Sequence, residues 1–144
     1  MVKWNVMKLG DIFKITSGGT PSRNKPEYYQ NGCIPWVRTG DLKTKYITKV
    51  EGLITEEALR NSSAKIFPVD TVLIAMYGAT IGACSILSIE AATTQAFAAL
   101  LPNKDVNSSY LYYFLTSKQN EFAKMGVGGA QPNMFYNFEK MSSQ

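Results

Sequence analysis

Six of the nine residues in Ser17-Gly18-Gly19-Thr20-Pro21-Ser22-Arg23-Asn24-Lys25 carry hydrogen-bonding or cationic side chains, and two of the others are glycines. Glycine lets a backbone approach a phosphate closely. The hydroxyls of Ser17, Thr20 and Ser22 and the amide of Asn24 can bond phosphates or base edges, and Arg23 and Lys25 add charge. The same composition also describes an ordinary surface turn. A nucleotide-binding phosphate loop is excluded, because no Gly-Lys-Ser or Gly-Lys-Thr follows. A second set is Arg38-Thr39-Gly40-Asp41 with Lys43 and Lys45. Arg38 can grip guanine through two N–H groups, and Asp41 can accept from cytosine. Arg38 and Asp41 can equally form a structural ion pair.

Three further groups have similar chemistry. Tyr77 and Thr80 flank Gly78-Ala79 at an expected hairpin tip, which either projects into a groove or is a tight turn serving packing. Thr94 and Gln95 follow Thr93; a glutamine amide reads adenine well, but it also satisfies buried backbone groups. Gln131 and Asn133 lie in the Gly-rich stretch 128–133. The aromatic residues fit the core better: Trp36 sits inside an apolar run, and Tyr110, Tyr112, Tyr113 and Phe114 fall at helical spacing, as core and flank. Lys118 and Lys124 fit a solvated helix face.

Several chemistries are closed to this chain. Histidine is absent, so no Ser-His-Asp or Cys-His nucleophile and no histidine general base can be built. Cys33 and Cys84 are far apart and form no metal-binding pair, so no metal site is expected and both read as buried or half-buried free thiols. There is no Gly-rich S-adenosylmethionine motif, no Asn-Pro-Pro or Asp-Pro-Pro, and no Glu-x-Lys suitably spaced after Asp70. No catalytic residue is assigned. Fifteen basic residues against eleven acidic ones give a charge of +4 and a pI near 9.0. That excess tilts the chain toward a polyanionic partner without proving one. No apolar run approaches the roughly 20 residues that span a bilayer, so no membrane contact and a cytoplasmic location are expected.

The elements that must position these residues are short. Dense Gly and Pro punctuation between apolar runs predicts an α+β domain, with a mixed or antiparallel sheet and a few helices. Residues 8–15 read as a helical turn leading into a strand, and 26–33 as irregular. Ile34 to Arg38 reads as a strand closed by a turn at Thr39-Gly40-Asp41. Thr55 is an N-cap for a short helix from Glu56 to Arg60. Thr71 to Tyr77 and Ile81 to Leu87 predict a hairpin, and Ala96 to Leu101 a third buried strand. Asn107, Ser108 or Ser109 caps a helix over 110–125, which Gly126 ends. An aromatic segment, Met134 to Phe138, precedes a polar end.

Eight segments together resemble the target-recognition domain of type I restriction–modification specificity subunits. They are 8–12 (Lys-Leu-Gly-Asp-Ile), 16–22 (Thr-Ser-Gly-Gly-Thr-Pro-Ser), 34–42 (Ile-Pro-Trp-Val-Arg-Thr-Gly-Asp-Leu), 54–59, 61–68, 71–82, 90–96 and 128–133 (Gly-Gly-Ala-Gln-Pro-Asn). A lone Ser-Gly-Gly-Thr-Pro is weak. Eight pieces in order over residues 7–133 are specific.

The resemblance implies a DNA target-recognition domain at 1–133 that reads one half of a split site in double-stranded DNA. It implies no catalytic centre and no cofactor in this chain: S-adenosylmethionine and ATP with Mg belong to the partner methyltransferase and restriction subunits. Such subunits usually carry two recognition domains separated by long spacer helices. Here one domain is present, and residues 134–144 form an atypical C-terminal tail where the family continues into a strand, a Pro-rich segment and the spacer helix. A truncated product, a half-subunit or a fragment is expected. A half-subunit could form a homodimer reading a symmetric site. The alternatives are a non-catalytic protein–protein adaptor, an inactive remnant, and a stand-alone nuclease or methyltransferase.

Overall fold

The computed structural model describes residues 2–125 and 137–143. From the N-terminus it forms a strand at Val2–Lys8 (β1), a one-turn helix at Leu9–Ile12 (α1) and a short strand at Ile15–Thr16 (β2). A 3-10 turn at Pro26–Tyr28 precedes Ile34–Val37 (β3), and another at Thr39–Asp41 precedes Tyr46–Ile47 (β4) and Leu53–Ile54 (β5). Helix Glu56–Arg60 (α2) leads to Val72–Ala75 (β6), Cys84–Leu87 (β7), Ala92–Thr93 (β8) and Phe97–Leu100 (β9). Helices Ser108–Ser117 (α3) and Gln119–Met125 (α4) and a strand at Asn137–Ser143 (β10) complete the described elements.

Among the described residues the strands form three sheets. The central one has five strands in the order β2-β9-β6-β7-β4, antiparallel except for the parallel β4–β7 pair. Ile15, Leu100, Val72, Ile86 and Tyr46 lie side by side across it. Alternation of side chains, the period of two that a pleated strand imposes, divides its residues between two cores. Val72, Ile74, Cys84, Ile86, Ala98 and Leu100 pack against Leu111 and Leu115 of α3 and against Leu9 and Phe13. Leu73, Ala75, Leu87, Phe97 and Ala99 pack on the other face against Val37, Leu42, Phe67 and Ala91. Strands β6 and β9 are buried throughout, hence their unbroken apolar sequences. A smaller sheet, β5-β3-β8, pairs β3 antiparallel to β5 and parallel to β8, over a core of Tyr28, Ile34, Trp36, Ile54, Ala58, Ala64 and Ala92. The fold is α+β with mixed sheets, as the sequence predicts.

Several local expectations match. Thr55 caps α2, its Oγ1 accepting from Ala58 N at 3.1 Å. Asn107 caps α3, its Oδ1 accepting from Ser109 N at 2.7 Å and Tyr110 N at 3.3 Å. The β6–β7 hairpin forms, with Val72 opposite Ile86.

Others differ. The single helix expected over 110–125 starts at Ser108 and is broken between α3 and α4. Ser117 Oγ bonds back to Phe114 O at 2.6 Å and Lys118 N to Leu115 O at 3.0 Å, so hydroxyl competition and a tightened last turn end α3 there. The hairpin strands are shorter than the runs 71–77 and 81–87, because Gly78 and Gly82, both at φ 88°, steer the chain off the ladder. Cys84 is buried but Cys33 is exposed, although its backbone N–H donates to Ile54 O of β5 at 3.1 Å. Tyr110 and Tyr113 are exposed, not core. Part of the atypical tail, Asn137–Ser143, pairs antiparallel with Val2–Lys8 along all seven residues. Gly126 and residues 134–136 lie outside the described residues.

Candidate nucleic-acid interface

Strand directions bring the candidate segments together. Chain exits after β2, after β6, before β7, before β9 and before β4 all leave the same end of the five-stranded sheet. That end therefore receives the loop from Ser17, the hairpin connection containing Tyr77 and Thr80, the Thr94-Gln95-Ala96 segment and the Thr39–Thr44 stretch.

Close contacts fix the first loop in place. Gly19 N donates to Thr93 O at 2.9 Å. A Cβ on Gly18 would lie 2.2 Å from Thr93 O, and one on Gly19 would lie 2.1 Å from Ser63 Oγ and 2.7 Å from Ala64 N. Only glycine permits this seat. The Trp36 indole N–H donates to Gly19 O at 3.1 Å, Tyr29 O–H donates to Pro21 O, and Thr20 Oγ1 donates to Gln95 Oε1. Beyond these clips Ser22, Arg23, Asn24 and Lys25 are exposed.

Thr94 is placed by the parallel β3–β8 pair: its N–H donates to Val37 O at 3.1 Å, which sets it beside Arg38. Its Oγ1 accepts from Ala96 N at 3.2 Å. Ser17, Thr20, Tyr77, Thr94, Gln95 and Ala96 line one open cleft of about 660 Å³. Five of these were singled out in the sequence, on three separate segments. Thr80 is exposed on the hairpin connection.

Of the two readings open for Arg38 and Asp41, the side-chain ion pair is not formed. Asp41 Oδ2 instead accepts from the backbone N–H of Arg38 at 2.8 Å, closing the 3-10 turn over Thr39–Asp41. The shape of the turn explains this, because a carboxylate three residues on reaches the backbone more directly than the guanidinium. Arg38 stays exposed, its Nε 3.3 Å from where a Gly52 Cβ would stand. Among the described residues Arg23, Arg38 and Lys43 have no carboxylate within 4.0 Å.

Lys45 stands apart. It flanks β4, the edge opposite β2, about 19 Å across the sheet at the usual strand spacing. Its Nζ donates to Tyr113 OH at 3.1 Å and lies 4.4 Å from the Tyr113 ring centroid. That hydrogen bond is the main reason its pKa is raised. Beside it the Tyr46 phenol bonds Ser109 Oγ at 3.2 Å, which lowers the Tyr46 pKa. Gln131 and Asn133 lie outside the described residues.

Sequence reasoning missed the groups that hold the loop, Tyr29 and the indole N–H of Trp36, and it missed Lys65. Lys65 Nζ donates to Thr16 Oγ1 at 3.0 Å, adding a cation where the loop begins. No local pattern marks such partners, which are 8 to 49 residues away in sequence. Among the described residues no group of three His, Cys, Asp or Glu could hold a metal ion, and no helix is long and apolar enough to cross a membrane.

The family model described as the type I restriction modification DNA specificity domain matches residues 1–143, including the tail that departs from the eight motifs. The MjaIX specificity subunit of Methanocaldococcus jannaschii is 38% identical over 131 residues, covering 88% of this chain and 30% of that protein. A type I restriction enzyme specificity subunit of Escherichia coli is 30% identical over 126 residues, covering 85% of this chain and 31% of that protein. The chain thus spans under a third of the length of these relatives. The crystal structure of an HsdS subunit from Thermoanaerobacter tengcongensis superposes with a TM-score of 0.70 at 20% identity, over 96% of this chain and 32% of the other. With the family model matching almost every residue and the fold matching that of a specificity subunit, the chain belongs to the type I restriction modification DNA specificity domain family.

Proposed function

We propose that the chain binds double-stranded DNA sequence-specifically and reads one half of a split site for a type I restriction–modification system. The observation that carries this is the convergence of three sequence-separated segments on one cleft, with Arg23, Arg38 and Lys43 exposed on the loops at that end and unpaired among the described residues. Side chains of this type divide the work: cations hold phosphates, while amides, hydroxyls and arginine forks address base edges. In this reading the chain supplies recognition and no catalytic group. It directs methyltransferase and restriction subunits in the cytoplasm, and these bring S-adenosylmethionine and ATP with Mg. Family membership supports the assignment, as does the fold shared with specificity subunits.

A salt titration of duplex binding tests it. If Lys25, Arg38 and Lys43 all neutralise phosphates, log K falls against log salt with a slope of about −2.7. Arg38→Ala lowers affinity and flattens that slope. Absence of duplex binding at low ionic strength, both alone and with a methyltransferase subunit of its system, overturns the proposal.

A further inference from the structure

Arg23 differs from the other cations at this end of the molecule in how its head group is held. Its Cζ lies 4.7 Å from the Tyr29 ring centroid and 5.8 Å from that of Trp36. The two rings touch, with centroids 5.7 Å apart and planes tilted by 59°. They are well anchored. Trp36 is 3% exposed, and Tyr29 packs against the core of the smaller sheet. The same two side chains donate to the loop backbone, Trp36 to Gly19 O and Tyr29 to Pro21 O. One aromatic pair therefore fixes both the loop that carries Arg23 and the guanidinium at its tip.

From this geometry we infer that Arg23 reads a guanine in the major groove and that Tyr29 is its positioning residue. The inference rests on the DNA-reading function proposed above. A phosphate contact needs little more than charge on a mobile stem, and Lys43 suits it. Guanine needs two N–H groups presented together to O6 and N7, so the fork must be held in one place. A guanidinium lying on a ring keeps its N–H groups at the periphery, and among the described residues none of them meets an acceptor. The neighbours do not share this state. Lys25 and Lys45 also lie over rings, but Lys25 is directed at the Tyr28 hydroxyl, 3.5 Å away, and Lys45 donates to Tyr113 OH, while Arg38 lies on no ring among the described residues. Immobilising an arginine on binding costs rotamer entropy, and the aromatic seat removes much of that cost beforehand.

Selection from a random duplex pool tests this with the full chain, its R23K, Y29F and Y29L variants, and a methyltransferase subunit present in every arm. The wild-type chain is expected to select a motif containing a fixed G·C pair that it prefers over A·T by roughly 5- to 150-fold, the range of a good bidentate contact. R23K keeps the charge and loses the fork. It is expected to lose preference at that pair alone while the rest of the motif persists. Y29F keeps the ring under the guanidinium and gives up the bond to Pro21 O, so it is expected to keep part of the preference; Y29L gives up both and loses it at the same pair. If R23K selects the wild-type motif unchanged, Arg23 is not the reader, although sequence-specific binding stands. If Y29L retains full preference, the positioning role is overturned. If the wild-type chain selects no motif, the underlying DNA-reading function fails with it. Arg23 is exposed, so R23K decides the reader question even if Y29L does not fold.

Discussion

Gly18→Ala probes whether the loop is seated as described. The new Cβ would stand 2.2 Å from Thr93 O, 2.3 Å from Thr93 Oγ1 and 2.8 Å from the Thr93 carbonyl carbon. Two of these atoms are backbone in β8, buried and paired with β3, so they cannot swing aside. Relief requires the loop to lift. Overpacking of this kind costs about 1–3 kcal/mol. Lifting the loop also stretches the Gly19 N–H bond to Thr93 O, now 2.9 Å, a further loss of about 0.5–1.5 kcal/mol. Together these predict destabilisation of about 1.5–4.5 kcal/mol, and with a urea slope of about 1.5 kcal/mol per M the midpoint falls by roughly 1–3 M. Gly40→Ala is the control. Its Cβ meets nothing within 4 Å and its φ is not positive, so a gain of about 0.4–1 kcal/mol is expected from a stiffer unfolded chain. Equilibrium urea unfolding followed by tryptophan fluorescence measures both. Equal midpoints for the two variants would refute the seating of the loop on Thr93, and with it the shape of the cleft.

Four other outcomes follow from the geometry. Thr55→Ala, which removes the α2 cap, should cost about 1 kcal/mol in urea unfolding, and Thr55→Ser should recover most of it. A thiol reagent at pH 8 should modify Cys33 in the folded protein and Cys84 only after denaturation, because Cys33 is exposed and Cys84 is buried. Burial pushes the Cys84 thiol up to about 12, above its unfolded value near 9.0. The folded state thus holds its proton more tightly: the stabilising contribution is complete below pH 9 and is lost as pH rises toward 12, a slope that Cys84→Ala should remove from the stability profile. Tyr113→Phe should lower the Lys45 pKa by deleting its main cause, with the shift read from the Lys45 side-chain NMR signal against pH; an unchanged titration would mean that the hydrogen bond does not persist in solution.

Much of the local structure was legible from neighbouring residues. Thr55 and Asn107 act as caps within three residues of their partners, and the runs at 72–75 and 97–100 are apolar because both sheet faces are covered. The two-residue strands β4, β5 and β8 have too few positions to show a period. The β1–β10 pairing joins residues more than 120 apart and could not be inferred from either terminal segment alone. Helix α3 was misjudged in length because the apolar spacing continues past Lys118 while the Ser117 hydroxyl and the tightened bond from Lys118 N to Leu115 O end the turn.

For the candidate site the division is similar. Residue type alone marked Ser17, Thr20, Tyr77, Thr94 and Gln95 as able to bond a nucleic acid, and the order of the eight motifs pointed to the family. What no spacing disclosed is which of them share a cleft. That depends on strand direction: three segments leave one end of one sheet only because β2, β6 and β9 run as they do. The tertiary structure also separated cations of equal formal charge. Arg23 lies on Tyr29 and Trp36, Lys45 is bonded to Tyr113 near the far edge, and Arg38 is left free of Asp41. Sequence determines which groups a chain carries, because chemistry is a property of single residues. Their approach to one another is a property of non-local pairing, which only the folded backbone decides.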